Sequence, residues 1–360
     1  MDEPMVVHPE VVGKVVGEVE VKSRLDNDVA RLPQYDPDSF PESDRVKIPD
    51  SSGFVDTADL VYEVAADLAR GRVPMLWGPS GVGKTYLAQH LAYLMRVPFE
   101  RIPLGETSER EDVTGHYELK QTRRGTETFW VQSRLARGFT RPGVTCIDEW
   151  NAAPPAVLHV ARPILDDSNQ LPLDAWDGRV LLKHAHRFLI ATGNPDWMPQ
   201  YAGLMPLSEA DNDRLSHISV TWAPPEVEAQ IVLAHAKLNG LDRVSAWKAV
   251  LAIRTWEDLR EQIKTSDLPI TAGTRSLLNF VECLQYHPPK KSIAKVYQRM
   301  DQRSYAEVAS FIEHHDWNLY TDPKLVDADT GFYLSAPAEP QGDPGCECVD
   351  GDRECGCGDA

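Results

Sequence analysis

The chain has 360 residues, 42% hydrophobic and 26% charged, with a mean hydropathy of −0.37, a composition that suits a soluble globular protein of two ordinary domains. No stretch approaches the roughly 18 apolar residues of a membrane span, and the acidic start MDEPMVVHPE lacks the basic and apolar regions of a secretory signal, so a cytoplasmic protein with no membrane partner is expected. Lys and Arg total 37 against 55 Asp and Glu, a net charge of −18 that disfavours a nucleic-acid-coating role.

In chain order, residues 1–50 carry 12 acids and 6 bases and are expected to be an acidic arm or small extension. Within them VVGKVVGEVEVKS alternates like a strand. Leu60, Val61, Val64, Ala65 and Leu68 then recur at helical spacing, with Asp56 and Thr57 as candidate caps and Gly71 as the stop. The apolar strand VPMLW (73–77) leads into Gly78-Pro79-Ser80-Gly81-Val82-Gly83-Lys84-Thr85, followed by helical YLAQHLAYLM. This is GxxxxGK[ST] in the strand–loop–helix setting it requires. The glycines let backbone N–H groups turn inward on a phosphate at the positive end of a helix. Lys84 is expected to reach the β- and γ-phosphates of ATP, and Thr85 to ligate Mg²⁺ through its hydroxyl.

Val144-Thr145-Cys146-Ile147 is a second buried strand, running into Asp148-Glu149. Taken alone, the acid pair reads as a helix N-cap. Some sixty residues after a phosphate loop, it reads as Asp148 holding Mg²⁺ and Glu149 polarising a water. A third strand, Phe188 to Gly193, ends in Asn194, whose amide suits the same water or the γ-phosphate.

Together these three strands make the chain resemble the AAA+ superfamily of P-loop ATPases. The segment Gly105 to Pro155 narrows the resemblance to the dynein-related, MoxR-like branch that includes the cobalt-chelatase subunit CobS. It contains Glu111-Asp112-Val113-Thr114-Gly115, then a hairpin, then DE-x-N-x-A-P-P from Asp148 to Pro155. Asp177-Gly178 signals a two-residue hairpin between LPLDAW and RVLLK, and in this branch such a hairpin precedes the sensor strand.

The resemblance covers about residues 50 to 285. It implies an α/β fold with a parallel sheet flanked by helices, a small helical lid, and acidic flexible termini. It also implies catalytic roles for Glu149 and Asn194, an arginine finger at Arg214 in LSEADNDRLSHISV, and a sensor arginine at Arg275 in ITAGTRSLLNF. An arginine finger acts on a neighbouring subunit's nucleotide, so a homo-oligomer, a hexameric ring, is implied. The family's members remodel or activate partner proteins, often with a von Willebrand-type partner, or drive a metal chelatase. The alternative is a nucleic-acid motor of the McrB-like type, for which Lys120, Arg123 and Arg124 on the hairpin would touch phosphate. A small P-loop kinase would leave Asn194, Arg214 and Arg275 idle.

The expected divisions are 1–50, a nucleotide-binding domain at 51–222, a helical lid at 223–318, and an acidic tail at 319–360. Cys146 and Cys283 sit singly in apolar surroundings and behave as small hydrophobes. Cys346, Cys348, Cys355 and Cys357 crowd the tail as C-x-C-x6-C-x-C, which could close a tetrahedral Zn²⁺ site or simply stud an acidic arm with thiols.

Overall fold

The computed structural model describes residues 5–50, 52–56, 58–122, 125–196, 204–241, 246–266, 268, 270–298 and 302–315. Thr57, Arg123, Arg124 and the four tail cysteines lie outside the described residues.

After β1 (Val6–Val7), an antiparallel hairpin of β2 (Lys14–Lys22) and β3 (Val29–Asp36) occupies the segment expected as an arm or extension. Val21, Ala30, Leu32 and Tyr35, with Phe40 just beyond, turn inward and join the main core. A short helix α1 (Glu42–Arg45) follows. The next helix, α2 (Leu60–Ala69), starts where Leu60 N–H donates to Asp56 Oδ1 at 2.9 Å, and Gly71, at φ +76°, ends the run. Its stripe of Leu60, Val61, Val64, Ala65 and Leu68 is buried, each such side chain being worth about 1.5–3 kcal/mol of transfer free energy for the larger ones.

The central domain alternates strands and helices: β4 (Val73–Trp77), α3 (Lys84–Met95), β5 (Phe99–Pro103) and the short α4 (Arg110–Thr114). A second hairpin, β6 (Gly115–Thr122) and β7 (Gly125–Gln132), precedes α5 (Arg134–Phe139), β8 (Gly143–Asp148) and α6 (Pro155–Ala161). A third, β9 (Gln170–Leu173) and β10 (Arg179–Leu182), precedes β11 (Arg187–Gly193), α7 (Glu209–Asn212) and β12 (Leu215–Ser219). Five of these strands form one all-parallel sheet in the order β12-β4-β11-β8-β5. Leu76, Val144, Cys146 and Ile190 face α2, α3 and the N-terminal hairpin, while Met75, Ile147, Leu189 and Ala191 face α5 and α6. Burial of both faces is why the three central strands β4, β8 and β11 read as mostly apolar runs rather than alternating ones, while the edge strands β5 and β12 carry polar residues. Because all five run the same way, the segments after β4, β8 and β11 emerge at one edge.

The third hairpin departs from the two-residue turn expected at Asp177-Gly178. Arg179 pairs with Leu173, so Asp174 to Gly178 form a five-residue connection, with Asp177 at φ +53° and Gly178 at φ +66°. The reason is Trp176: it leaves the ladder to stack on Trp130 of β7 at 5.8 Å, with Arg179 also over its ring at 4.1 Å.

The C-terminal helices α8 (Pro225–Leu238), α9 (Ala246–Thr265), α10 (Thr274–Leu284), α11 (Pro289–Val296) and α12 (Gln302–His314) enclose a separate core. Trp256 is fully buried there and stacks on Phe280 at 5.2 Å and Tyr297 at 5.9 Å. The carboxylate of Glu228, also fully buried, takes both guanidinium nitrogens of Arg260 at 2.8 Å and the Thr274 hydroxyl at 3.0 Å. That network ties α8, α9 and the start of α10 together beside the phosphate loop.

Candidate nucleotide-binding site

The loop between β4 and α3 depends on its glycines for one close approach and two left-handed turns. A Cβ on Gly78 would meet the Val220 carbonyl at 2.0 Å, and Gly81 and Gly83 adopt φ of +85° and +98°, a region that side chains disfavour. Lys84 begins α3 and is 7% exposed. Its ammonium donates to the carbonyls of Gly78 (2.6 Å) and Pro79 (2.9 Å) and to Asn194 Oδ1 (2.9 Å), so all three proton sites are used. Burial pulls its pKa down to about 8, against the upward pull of the nearby Asp148 and Glu149 carboxylates.

At the end of β8, Asp148 Oδ1 accepts from the hydroxyls of Thr192 (2.5 Å) and Thr85 (3.1 Å), while Oδ2 accepts from Arg101 Nε at 2.6 Å. Glu149 then turns to φ +60°, with its N–H donating to Thr192 Oγ1 at 3.1 Å. A left-handed, non-glycine residue costs about 1–2 kcal/mol, and here it breaks the strand's alternation and leaves the Glu149 side chain exposed in the cleft. Asn194 is anchored on both backbone groups by Asn151, whose Nδ2 donates to Asn194 O at 2.8 Å and whose Oδ1 accepts from Asn194 N at 3.3 Å. Its side chain is thereby left to face Lys84.

Residues of the C-terminal helices line the cleft's other side. Gly273 lies so near the loop that a Cβ there would sit 3.1 Å from Ser80 O and 3.0 Å from the Trp222 ring. The next turn carries Arg275, whose N–H donates to Gly81 O at 3.4 Å and whose charge adds to the downward pull on Lys84. The resulting cleft of about 440 Å³ is lined by Ser80 to Thr85, Asp148, Glu149, Asn194 and Arg275, with apolar walls from Phe54, Ile231 and Leu238. Its size suits a small-molecule ligand. Gly78 and Pro79 stay behind it, presenting carbonyls to Lys84.

Arg214 is elsewhere. It precedes β12, whose first residue Leu215 pairs with Val73, the strand end opposite the phosphate loop. A five-residue strand spans about 16 Å, too far for Arg214 to reach the cleft of its own chain. It is ion-paired with Asp166 and donates to Ala210 O at 2.6 Å.

The family model for the AAA domain (dynein-related subfamily) matches residues 74–215, from the middle of β4 to the start of β12. Protein NorQ of Paracoccus denitrificans is 30% identical over 183 residues, 51% of this chain and 63% of NorQ. Residues 74–215 thus resemble the AAA domain of the dynein-related subfamily. The chain is also similar to the uncharacterized protein YojN of Bacillus subtilis, 24% identical over 258 residues, 71% of this chain and 81% of the relative. An uncharacterized protein of Staphylococcus aureus (strain USA300) is 24% identical over 243 residues, 66% of this chain and 89% of the relative.

In the cleft the Thr85 hydroxyl and the Asp148 carboxylate converge as hard oxygen donors, the ligand type that Mg²⁺ takes. Trp150, which follows Glu149, is fully buried and packs under the site. Arg101, Thr192 and Asn151 were given no role by sequence reasoning. Asn151 stood within the DE-x-N pattern, but Arg101 and Thr192 gain meaning only from the strand order. Among the described residues no cluster of His, Cys, Asp or Glu is arranged to hold a metal, and the candidate Zn²⁺ cysteines lie outside them. No helix among the described residues is long and apolar enough to cross a membrane.

Proposed function

We propose that the protein is an ATP-hydrolysing ring motor that remodels or activates a partner protein. The observation that carries this reading is the convergence on one cleft of two hydrogen-bonded pairs, Lys84 with Asn194 and Thr85 with Asp148, with Glu149 open to the cleft beside them. In the proposed reaction, the loop N–H groups from Gly81 to Thr85 and the Lys84 ammonium bind the phosphates, and Lys84 exchanges its carbonyl partners for phosphate oxygens. Thr85 and Asp148 would hold Mg²⁺, which when bound neutralises charge on the phosphate oxygens. Glu149 takes a proton from an attacking water, and Asn194, fixed by Asn151, orients that water or the γ-phosphate. Arg275 supplies a lid cation to the phosphates.

Arg214 is proposed as the finger delivered to the adjacent subunit, which makes the site incomplete in a single chain and a hexamer the functional unit. Of the hairpin cations, Lys120 is ion-paired with Glu118 at 3.4 Å and lies over Phe129; this favours a protein partner, of von Willebrand or chelatase type, over nucleic acid. Glu149→Gln tests the reading: the variant should bind ATP as wild type does and lose turnover, because the amide keeps the shape but cannot accept the proton. A variant that hydrolyses ATP at the wild-type rate sinks the assignment.

A further inference from the structure

Asp148 has a partner that the proposed chemistry does not require. While its Oδ1 accepts from Thr192 and Thr85, its Oδ2 is occupied by Arg101, with Nε at 2.6 Å and Nη2 at 2.5 Å. The register explains the reach. On the edge strand β5, Arg101 lies beside Cys146 and Pro103 beside Asp148, so Arg101 sits one pleat short of Asp148 on the same sheet face. The Arg101 side chain is 52% exposed and that of Asp148 only 6%, and both line the cleft. The guanidinium therefore covers the carboxylate from the solvent side.

We propose that Arg101 is a placeholder cation: it neutralises Asp148 before a divalent metal arrives and gives up Oδ2 when the metal binds at Thr85 and Asp148. The inference rests on the nucleotide reading above and adds the residue that sets its metal dependence. A buried carboxylate without a counter-ion is strongly unfavourable, and Lys84 cannot serve, because its protons are held by Gly78, Pro79 and Asn194. Two cations on one carboxylate repel each other, most strongly where water is scarce. Release is cheap on the arginine's side, since a half-exposed guanidinium regains water, and the arriving metal supplies the carboxylate's counter-charge. The freed side chain remains in the cleft as one more cation for phosphate.

The test compares wild type with Arg101→Gln and Arg101→Lys in two measurements. Electron paramagnetic resonance follows Mn²⁺ binding in the presence of ADP, and calorimetry follows ATP binding in EDTA. Arg101→Gln should lower the Mn²⁺ concentration at half-saturation by roughly tenfold, the scale on which one neighbouring charge shifts a carboxylate's affinity for a cation. The same variant should bind metal-free ATP more weakly than wild type, having lost a cleft cation. Opposite signs separate this role from a structural one, which would weaken both. Arg101→Lys, keeping the charge, should stay nearer wild type in both. A crystal structure of the wild-type chain with Mg²⁺ and ADP should show the Arg101–Asp148 contact broken. An intact contact there, or an unchanged or raised Mn²⁺ midpoint in Arg101→Gln, overturns the proposal while leaving ATP binding in place. A wild-type chain that binds no ATP overturns the nucleotide reading and this inference with it.

Discussion

The Lys84 ammonium links ATP binding to pH in a direction that can be worked out. Burial pulls its pKa down to about 8, so about nine-tenths of chains carry the charge at pH 7 and about one-tenth at pH 9 before nucleotide binds. Phosphate favours the charged form, so the bound state holds the proton to higher pH than the empty state does. Affinity is therefore nearly full at pH 7 and falls as pH rises through 8, by about tenfold or 1.4 kcal/mol between pH 7 and pH 9. Binding at pH 9 should take up about 0.9 proton per ATP. Calorimetry at pH 9 in two buffers of different ionisation enthalpy measures that uptake directly, and Lys84→Ala should abolish binding. The stability of the fold itself has the opposite sign. Unfolded chains keep this proton to about pH 10.4, so in the window from 8 to 10.4 the unfolded state binds more protons and the Lys84 contribution to stability rises with pH. An ATP affinity that is flat from pH 7 to pH 9, with no proton taken up, would refute the argument that a desolvated Lys84 must recharge on binding.

Gly78→Ala places a Cβ 2.0 Å from the Val220 carbonyl; a loss of about 2 kcal/mol or more in urea melts is expected, and wild-type stability would show that β4 and β12 separate freely there. Arg214→Ala should bind ATP normally yet lose roughly 10³-fold or more in turnover, and mixing it with Glu149→Gln subunits should restore part of the activity through interfaces that pair an intact Glu149 with an intact Arg214; mixtures as inactive as either parent argue against action across an interface. If Cys346, Cys348, Cys355 and Cys357 hold zinc, the reduced full-length protein carries one zinc per chain, and deleting residues 340–360 removes it without loss of ATPase activity; elemental analysis that finds no zinc in the full-length protein rejects the site.

What the sequence determined by itself was whatever is encoded in contiguous residues. Gly78 to Thr85 specify a phosphate loop because the positive-φ glycines, the lysine and the flanking strand and helix lie within about twenty residues of one another. The strand ends at Asp148 and Asn194, like the strand that leads into the loop of Lys84, were legible for the same reason, as apolar runs stopped by polar or glycine residues. The alternation of Val15 to Val21 showed a strand, but not that β3 would be its partner or that Leu32 and Tyr35 would seal the core against α2 and α3. Pairing joins segments whose sequences do not encode each other. The Asp177-Gly178 turn was misjudged because its length depends on Trp176 finding Trp130, some forty-five residues earlier in the chain. The same holds at the site. Arg101, Thr192 and Asp148 come from three neighbouring strands, and only the order β11-β8-β5 brings a guanidinium and a hydroxyl onto one carboxylate. Chemistry carried by a local turn can be read from residue order, but chemistry assembled across a parallel sheet waits for the register that aligns it.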